Sequence, residues 1–433
     1  MRPTNDRGRW QPSPAWFRSV ATALLLIVAA LVWRRPDLLV IATPFAVVTA
    51  WATMTRPTRT PTFADTVAHP TIREGDATRW QGTLTDAEDV DHALVALALD
   101  PWIDTRPSSA TASGSPLGGR VDLEVSGRAT RWGVREIERA QVVAVSSWAA
   151  FHWSSTTTPR VFTALPVPGV FDVGASPRPA DGLVGLHRST RAGDGNEFAG
   201  VRTFRPGDRM RRINWMRSAR SNELQVNATW ADLDAHVALV IDATDDVGTS
   251  GGVDGAASSL DTSVRAAGAI AEHYALRGER VSLRTFGARI AHEVVTGTGR
   301  TQLRRILDTM ARVRPGNDMR TVRSGNLGGR ATSGRMTVLL SPLIAPEALG
   351  LAVELGRRGA AVVVIDTLPD HVAEHDDELM ALAWRVRLLE RRREVRKVTA
   401  AGIPVVHWQG PGSLDVVIRD IARRTTGPRL VRR

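Results

Sequence analysis

The chain has 433 residues, more than one ordinary core organises, so two soluble domains plus any membrane part are expected. It contains no cysteine, which rules out a disulfide framework, a thiolate nucleophile and a cysteine-bound metal. The formal net charge of +11 is carried almost wholly by arginine, Lys397 being the only lysine; such an excess suits nucleic acid, anionic lipid or the cytoplasmic flank of a membrane anchor.

A tail over residues 1–15 precedes a transmembrane hairpin over 16–55. From Trp16 to Trp33 the chain is nearly uncharged, and Val20-Ala21-Thr22-Ala23-Leu24-Leu25-Leu26-Ile27-Val28 is strongly apolar. After Arg34-Arg35-Pro36-Asp37 a second apolar run goes from Leu38 to Met54. Each run lies close to the ~17-residue lower limit for a span. Trp16, Trp33 and Trp51 sit near the ends, where indoles prefer the interface. A cleaved signal peptide fits poorly, because no small-x-small site follows the first run and two arginines stand where cleavage would fall. Arg2, Arg7, Arg9 and Arg18 precede the hairpin and Arg56 and Arg59 follow it, against Arg34 and Arg35 in its turn. The expectation is a two-span protein of the cell membrane, in contact with its lipids, with both termini and the soluble domains cytoplasmic.

Residues 60–172 show short alternating runs such as Val121, Leu123, Val125, broken by turns and by the loop from Arg106 to Gly119, the spacing of a small β-sandwich. The run Ala93 to Leu99 fits either a helix turn or a buried strand, and periodicity does not decide between them.

The connector over 173–230 carries the most distinctive pattern: Gly195-Asn196-Glu197-Phe198, Arg202, Pro206-Gly207-Asp208, Arg211-Arg212-Ile213-Asn214-Trp215 and Ser218-Ala219-Arg220. Asp208 follows a tight turn and is placed to cap a short helix bearing Arg211, Arg212 and Trp215, with Glu197 in reach of their guanidiniums. Arginine forks suit an anion, but Glu197 and Asp208 also offer internal partners and Trp215 a stacking face, which makes a structural clamp between neighbouring domains.

Over 231–425 strands and helices alternate as in a doubly wound α/β domain with a parallel sheet. The strands are Val237–Asp242, Val281–Phe286, Thr337–Ser341, Ala360–Thr367 and Ile403–Trp408. Helices are expected from an Asp261 cap, over Leu303–Val313, over Pro346–Arg358 and over about Asp376–Ala401, with a last helix after the final strand. The long helix sets a core-facing stripe of Leu379, Leu382, Val386 and Leu389 against basic faces, which read as a solvated surface beside a membrane or as a docking surface.

The connector signature closely resembles that of the bacterial "domain of unknown function 58" family, whose members pair a membrane anchor with a von Willebrand factor A-like domain. The resemblance covers the signature strongly, the anchor and α/β domain in outline and the β-rich region weakly. It implies a non-enzymatic adaptor that binds proteins and works with a MoxR-type AAA+ ATPase in the assembly or maturation of other proteins. It also draws attention to Asp242, Thr244 and Asp246, which alternate like the Asp-x-Ser-x-Ser motif that holds magnesium in von Willebrand A domains. Here Thr stands for the first Ser and Asp for the second, and Ser341-Pro342 occupies a strand end where an acid is expected. A degenerate Mg2+ site is what this implies, with Thr298 or Thr301 as a further hydroxyl.

Enzyme motifs are few. Gly248-Thr249-Ser250-Gly251-Gly252 satisfies the nucleophile-elbow pattern but lies in a loop rather than a strand-to-helix turn. His371, Glu374 and His375 form His-x-x-Glu-His, which on a helix places two imidazoles for zinc and a glutamate as general base, so a membrane-bound zinc hydrolase is the alternative. There is no phosphate-loop motif, and no nucleic-acid reader motif with interleaved aromatics, so neither a P-loop ATPase nor nucleic-acid binding is expected.

Overall fold

The computed structural model describes residues 8–167, 188–205, 208, 210–221, 223–232, 236–316, 335–358, 360–370 and 377–409. The chain forms two compact units, Met1–Leu165 with Gly252–Asp254, and Pro166–Gly251 with Gly255–Arg433.

In the first unit β1 (Gln11–Pro12) leads into α1 (Pro14–Val32) and α2 (Asp37–Met54), two helices long and apolar enough to cross a membrane. Ser13 caps α1, its hydroxyl accepting from Trp16 N, and proline at N1 forfeits only an amide that has no helical partner. The helices approach through small residues, Ala23, Ala29, Ala30 and Ala42 being buried, whereas Leu25, Leu31 and Val40 are exposed. Ser19 donates to Phe45 O and accepts from Thr49, an interhelical polar contact of the kind that joins helices where hydrophobic burial gives no net drive.

The strands β2 (Thr62–Val67), β3 (Thr71–Arg73), β4 (Ala77–Thr85), β5 (His92–Ala96), β6 (Ile103–Arg106), β7 (Thr111–Gly114), β8 (Val121–Ala129), β9 (Gly133–Ile137), β10 (Gln141–Ser146), β11 (Phe151–Thr156) and β12 (Arg160–Leu165) follow. They form sheets in the orders β1-β11-β10-β5-β7, β2-β4-β8-β6 and β3-β12-β9. Period-two alternation sends one face of each inward: Trp80, Leu123, Val142, Trp153 and Phe162, drawn from all three sheets, share one core. Of the Ala93–Leu99 run, Ala93–Ala96 is strand, part of β5, with Ala93, Val95 and Leu97 buried and Leu94 exposed.

The second unit opens with β13 (Arg188–Thr203) and β14 (Gln225–Asp232), an antiparallel pair whose connection holds a 3-10 turn, Met210–Arg212, and α3 (Trp215–Ser221). Then come β15 (His236–Asp242), α4 (Ser259–Ala275), β16 (Arg280–Phe286), β17 (Glu293–Gly297), α5 (Gly299–Met310), β18 (Arg335–Ser341), α6 (Pro346–Arg357), β19 (Ala361–Asp366), α7 (Glu378–Ala400) and β20 (Val405–His407). The sheet order is β17-β16-β15-β18-β19-β20, parallel except for β17. From β15 the chain builds outward to one side and then returns to build the other, so the order reverses between β15 and β18, where ligand crevices form in such sheets.

Three local expectations change. Ser258, not Asp261, caps α4; Asp261 is the reciprocal partner at N3, its carboxylate accepting from Ser258 N. β17 is an unexpected edge strand, short and antiparallel. The stripe Leu379, Leu382, Val386, Leu389 is exposed rather than core-facing. The opposite side of α7 packs inward, through buried Val398 and half-buried Val395, while Arg387 and Arg391 reach Ile344 O and Pro342 O. Long guanidinium side chains therefore dock this helix where aliphatic ones were expected.

Candidate functional site

The signature runs from β13, which holds Gly195–Phe198 and Arg202, into the connection between β13 and β14. Thr203 pairs with Gln225 and Arg202 with Val226, which fixes the base of the excursion. Arg202 grips Asp208 with both terminal nitrogens, Nη1 to Oδ2 at 2.7 Å and Nη2 to Oδ1 at 2.6 Å, and Arg205 N also donates to Oδ2 at 2.8 Å. The guanidinium, then the backbone donor, hold the Asp208 carboxyl down to about 2. Asp208 thus closes the turn ahead of the helix instead of capping it. The cap of α3 is Asn214, whose Oδ1 accepts from Arg217 N at 3.1 Å, while its Nδ2 donates to Asn227 Oδ1 on β14. Ser218 is buried and accepts from Gln225 N, and Ile213 is buried against the same strand, so α3 is pinned to β14 by its inner face.

Its outer face is bare. Trp215 is 66% exposed, Met216, Arg217 and Arg220 on the same helix are exposed, and so are Met210 and Arg211 in the 3-10 turn before it. Among the described residues no guanidinium stacks on Trp215, so the expected internal stack gives way to an outward indole. Arg212 is half-buried. Pro206, Gly207 and the side chain of Glu197 lie outside the described residues.

At the carboxyl end of the sheet, Asp242 closes β15 and Ser341 closes β18 across the reversal point. Asp242 is 2% exposed; its Oδ2 accepts from Ser341 Oγ at 2.6 Å and its Oδ1 from Thr244 N at 3.0 Å. Ser341 Oγ in turn accepts from Leu343 N. Burial pushes the Asp242 carboxyl up, against the pull of these hydrogen bonds. Thr244 Oγ1 is buried and lies under Gly287, whose φ of 68° and lack of a side chain permit the approach: a Cβ there would fall 2.1 Å from Thr244 Oγ1. Asp246 turns elsewhere, its Oδ1 accepting from Leu260 N at 3.0 Å in the first turn of α4.

This geometry does not fit the magnesium shell that the resemblance implies. Both oxygens of Asp242 are engaged by neutral donors, Asp246 serves α4, and a serine that donates to Asp242 stands where a second acid would face the metal. Thr298 precedes α5 as its N-cap residue and Thr301 lies in that helix's first turn. The zinc motif residues His371, Glu374 and His375 lie outside the described residues. No group of three or more acidic or histidine side chains suited to a metal ion occurs among the described residues.

Sequence reasoning missed a further cleft, of about 370 Å³, at the ends of β19 and β20. Asp366 there pairs with Arg391, and His407 faces Asp366 at 3.8 Å and Asp370 at 3.3 Å. Asp366 ends its strand as Asp242 does, which was the available signal, but its guanidinium partner comes from α7 and is not deducible from spacing.

The described residues thus define a protein with two candidate membrane helices, a strand-rich region and an α/β unit built on a largely parallel sheet, entered through an arginine-rich hairpin. Residues 200–394 match the family model described as "Protein of unknown function DUF58". No curated protein matches the chain.

Proposed function

We propose that the protein is a membrane-anchored, non-enzymatic adaptor whose α/β unit, von Willebrand A-like in its alternation, captures other proteins in the cytoplasm. The observation that carries this reading is the exposed surface of the signature: Trp215 and Met216 with Arg217 and Arg220 on a helix whose inner face is pinned, and Met210 and Arg211 in the 3-10 turn before it. Tryptophan, methionine and arginine are the side chains over-represented in protein interfaces, and an indole held out by a rigid element is a ready anchor. Three exposed arginines select an acidic rim around an apolar pocket on the partner. Asp242, in contrast, is too deeply buried to touch a partner, so the working face passes from the sheet end to α3.

The family resemblance makes a MoxR-type AAA+ ATPase the expected partner, one that would supply the ATP-driven work in assembly or maturation of other proteins. Crosslinked capture of the tagged full-length protein from its native membranes tests this. Recovery of an AAA+ ATPase, reduced at least about tenfold by Trp215→Ala in a folded protein, is the expected result. Unchanged recovery from the variant removes α3 as the docking face, and absence of any such ATPase from well-extracted samples removes the partnership.

A further inference from the structure

Ser147, Trp148 and Ala149 join β10 to β11 with φ of 51°, 56° and 62°, three successive non-glycine residues in the left-handed region. Residues with a Cβ visit this region rarely, and then singly. The turn is fastened on every side. Ser147 Oγ donates to Thr55 O at 2.7 Å, Trp148 N to Asp91 Oδ2 at 2.9 Å, and Ala150 O accepts from Ser13 N at 2.8 Å. Thr55 is the C-cap of α2 and Ser13 the N-cap of α1, so the turn is tied to the ends of both apolar helices. Behind it Ala150 and Phe151 pack on Ala52, with Trp10 and Trp16 against them. All of this leaves the Trp148 indole 77% exposed. A strained, well-fastened backbone that holds a large apolar side chain outward contributes nothing to the core, and strain of this kind collects at functional positions.

A second apolar tip lies at the same end of the same sheet. Leu117, 88% exposed, sits in the turn between β7 and β8 with Gly118 and Gly119 at positive φ. Val145 pairs with His92 and Ala93 with Gly114, so the chain leaving β10 toward Trp148 and the chain leaving β7 toward Leu117 overhang one edge. The segment following α2 enters at that edge too, Thr58 N and Arg59 N both donating to Asp89.

We propose that Trp148 and Leu117 dip into the interface of the bilayer crossed by α1 and α2, seating the β-rich unit on the membrane; this rests on the reading of those helices as spanning. The occupant follows from continuity. The tip is hydrogen-bonded to the residues at which the two helices begin and end, and indoles concentrate at that level of a bilayer. Exposed Arg56, over the Phe151 ring at 5.9 Å, places a cation there for lipid phosphates.

Because the chain has no native cysteine, single-cysteine variants give clean reporters. Full-length Trp148→Cys, Leu117→Cys and Arg139→Cys, the last an exposed position just before β10 at its far end, are labelled with a polarity-sensitive fluorophore. They are reconstituted into phosphatidylcholine and phosphatidylglycerol vesicles that carry a nitroxide at the interface. Labels at 148 and 117 are expected to shift to the blue and to be quenched about twofold or more beyond the label at 139. Quenching at both tips no greater than at 139, in protein that resists alkaline extraction, overturns the seating while leaving the anchor intact. Protein released by alkaline carbonate overturns the spanning reading and the seating with it. Substitution inside the left-handed turn risks loosening it, so Leu117→Cys, which lies outside it, is the independent reporter. Quenching at one tip alone overturns the assignment of the other.

Discussion

Asp242 and Asp208 both belong to the α/β unit and both accept two or more hydrogen bonds, yet the structure drives their carboxyl groups in opposite directions. Asp242 is enclosed at the end of β15 and meets only neutral donors, Ser341 Oγ and Thr244 N, so desolvation dominates and the proton is held more tightly than usual. Asp208 lies near the surface against the two-pronged Arg202 guanidinium, and its proton is lost more readily than usual. The first aspartate joins two strands where the sheet changes direction; the second closes a turn so that a helix can project. Residue type alone does not separate these roles, whereas burial and the charge of the partner do.

The largest expected effect comes from disturbing the enclosure around Asp242. Gly287→Ala would drive a methyl group into Thr244 Oγ1 and the Thr244 backbone, at a φ of 68° that alanine resists, and should cost about 3 kcal/mol or more. Hydrogen exchange of the β15 and β16 amides in the full-length protein reads this locally, and protection equal to the parent would show that the contact is soft. Asp242→Ala should follow, at about 3 kcal/mol, because it strands Ser341 Oγ and Thr244 N without an acceptor. Asp242→Asn keeps a polar side chain of the same shape and should cost less than about 1.5 kcal/mol. The two variants also differ in pH behaviour. A carboxyl raised in the folded state gives its full contribution below the unfolded value of about 3.9 and loses it as pH rises through the folded value. Asp242→Asn has no such loss, so its deficit against the parent should shrink from pH 4 upward, as followed by exchange protection of β15 and β18. A deficit that widens with pH would mean that Asp242 works as an anion, and would reopen the question of a cation at the sheet end.

Asp208 reverses the sign. Its pKa is depressed to about 2, so its contribution is present above the unfolded value of about 3.9 and disappears as pH falls through about 2. Asp208→Asn should loosen the turn at neutral pH, seen as faster exchange at Ile213 and Ser218, and should match the parent near pH 2. The effect should be smaller than at Asp242, because the pair is solvent-screened.

What the sequence disclosed follows the same division. The strand at Val237–Asp242, the alternation at Val121–Val125 and the two apolar helices were legible because period and run length are local properties. The resemblance carried by the signature was legible as well, and so was the oddity of Ser341 at a strand end. What was not legible depended on partners distant in sequence. Nothing near Leu379 reveals that α7 docks by Arg387 and Arg391 on carbonyls of residues 344 and 342 and leaves its leucines outward. Nothing near Asp208 excludes a helix cap; only the backbone path, which places Asn214 one residue before α3, assigns that task elsewhere. Asp246 lies two residues beyond Thr244 in a metal-like spacing, but the chain carries it to the first turn of α4.

The smallest effect on stability should come from the residue expected to matter most for binding. Trp215 rests on nothing that a core needs: α3 is held by Ser218, Asn214 and Ile213, all on the side facing β14. Trp215→Ala should therefore change stability by no more than about 0.5 kcal/mol, as surface substitutions away from caps and packed contacts usually do. Exchange protection across β14 and α3 should stay at the parent level while partner capture falls. A variant that loses both would return Trp215 to the role of internal clamp and remove the separation between a pinned inner face and a working outer one. A variant that loses protection at Asn214 and Ser218 but keeps capture would show that the partner binds elsewhere on the unit.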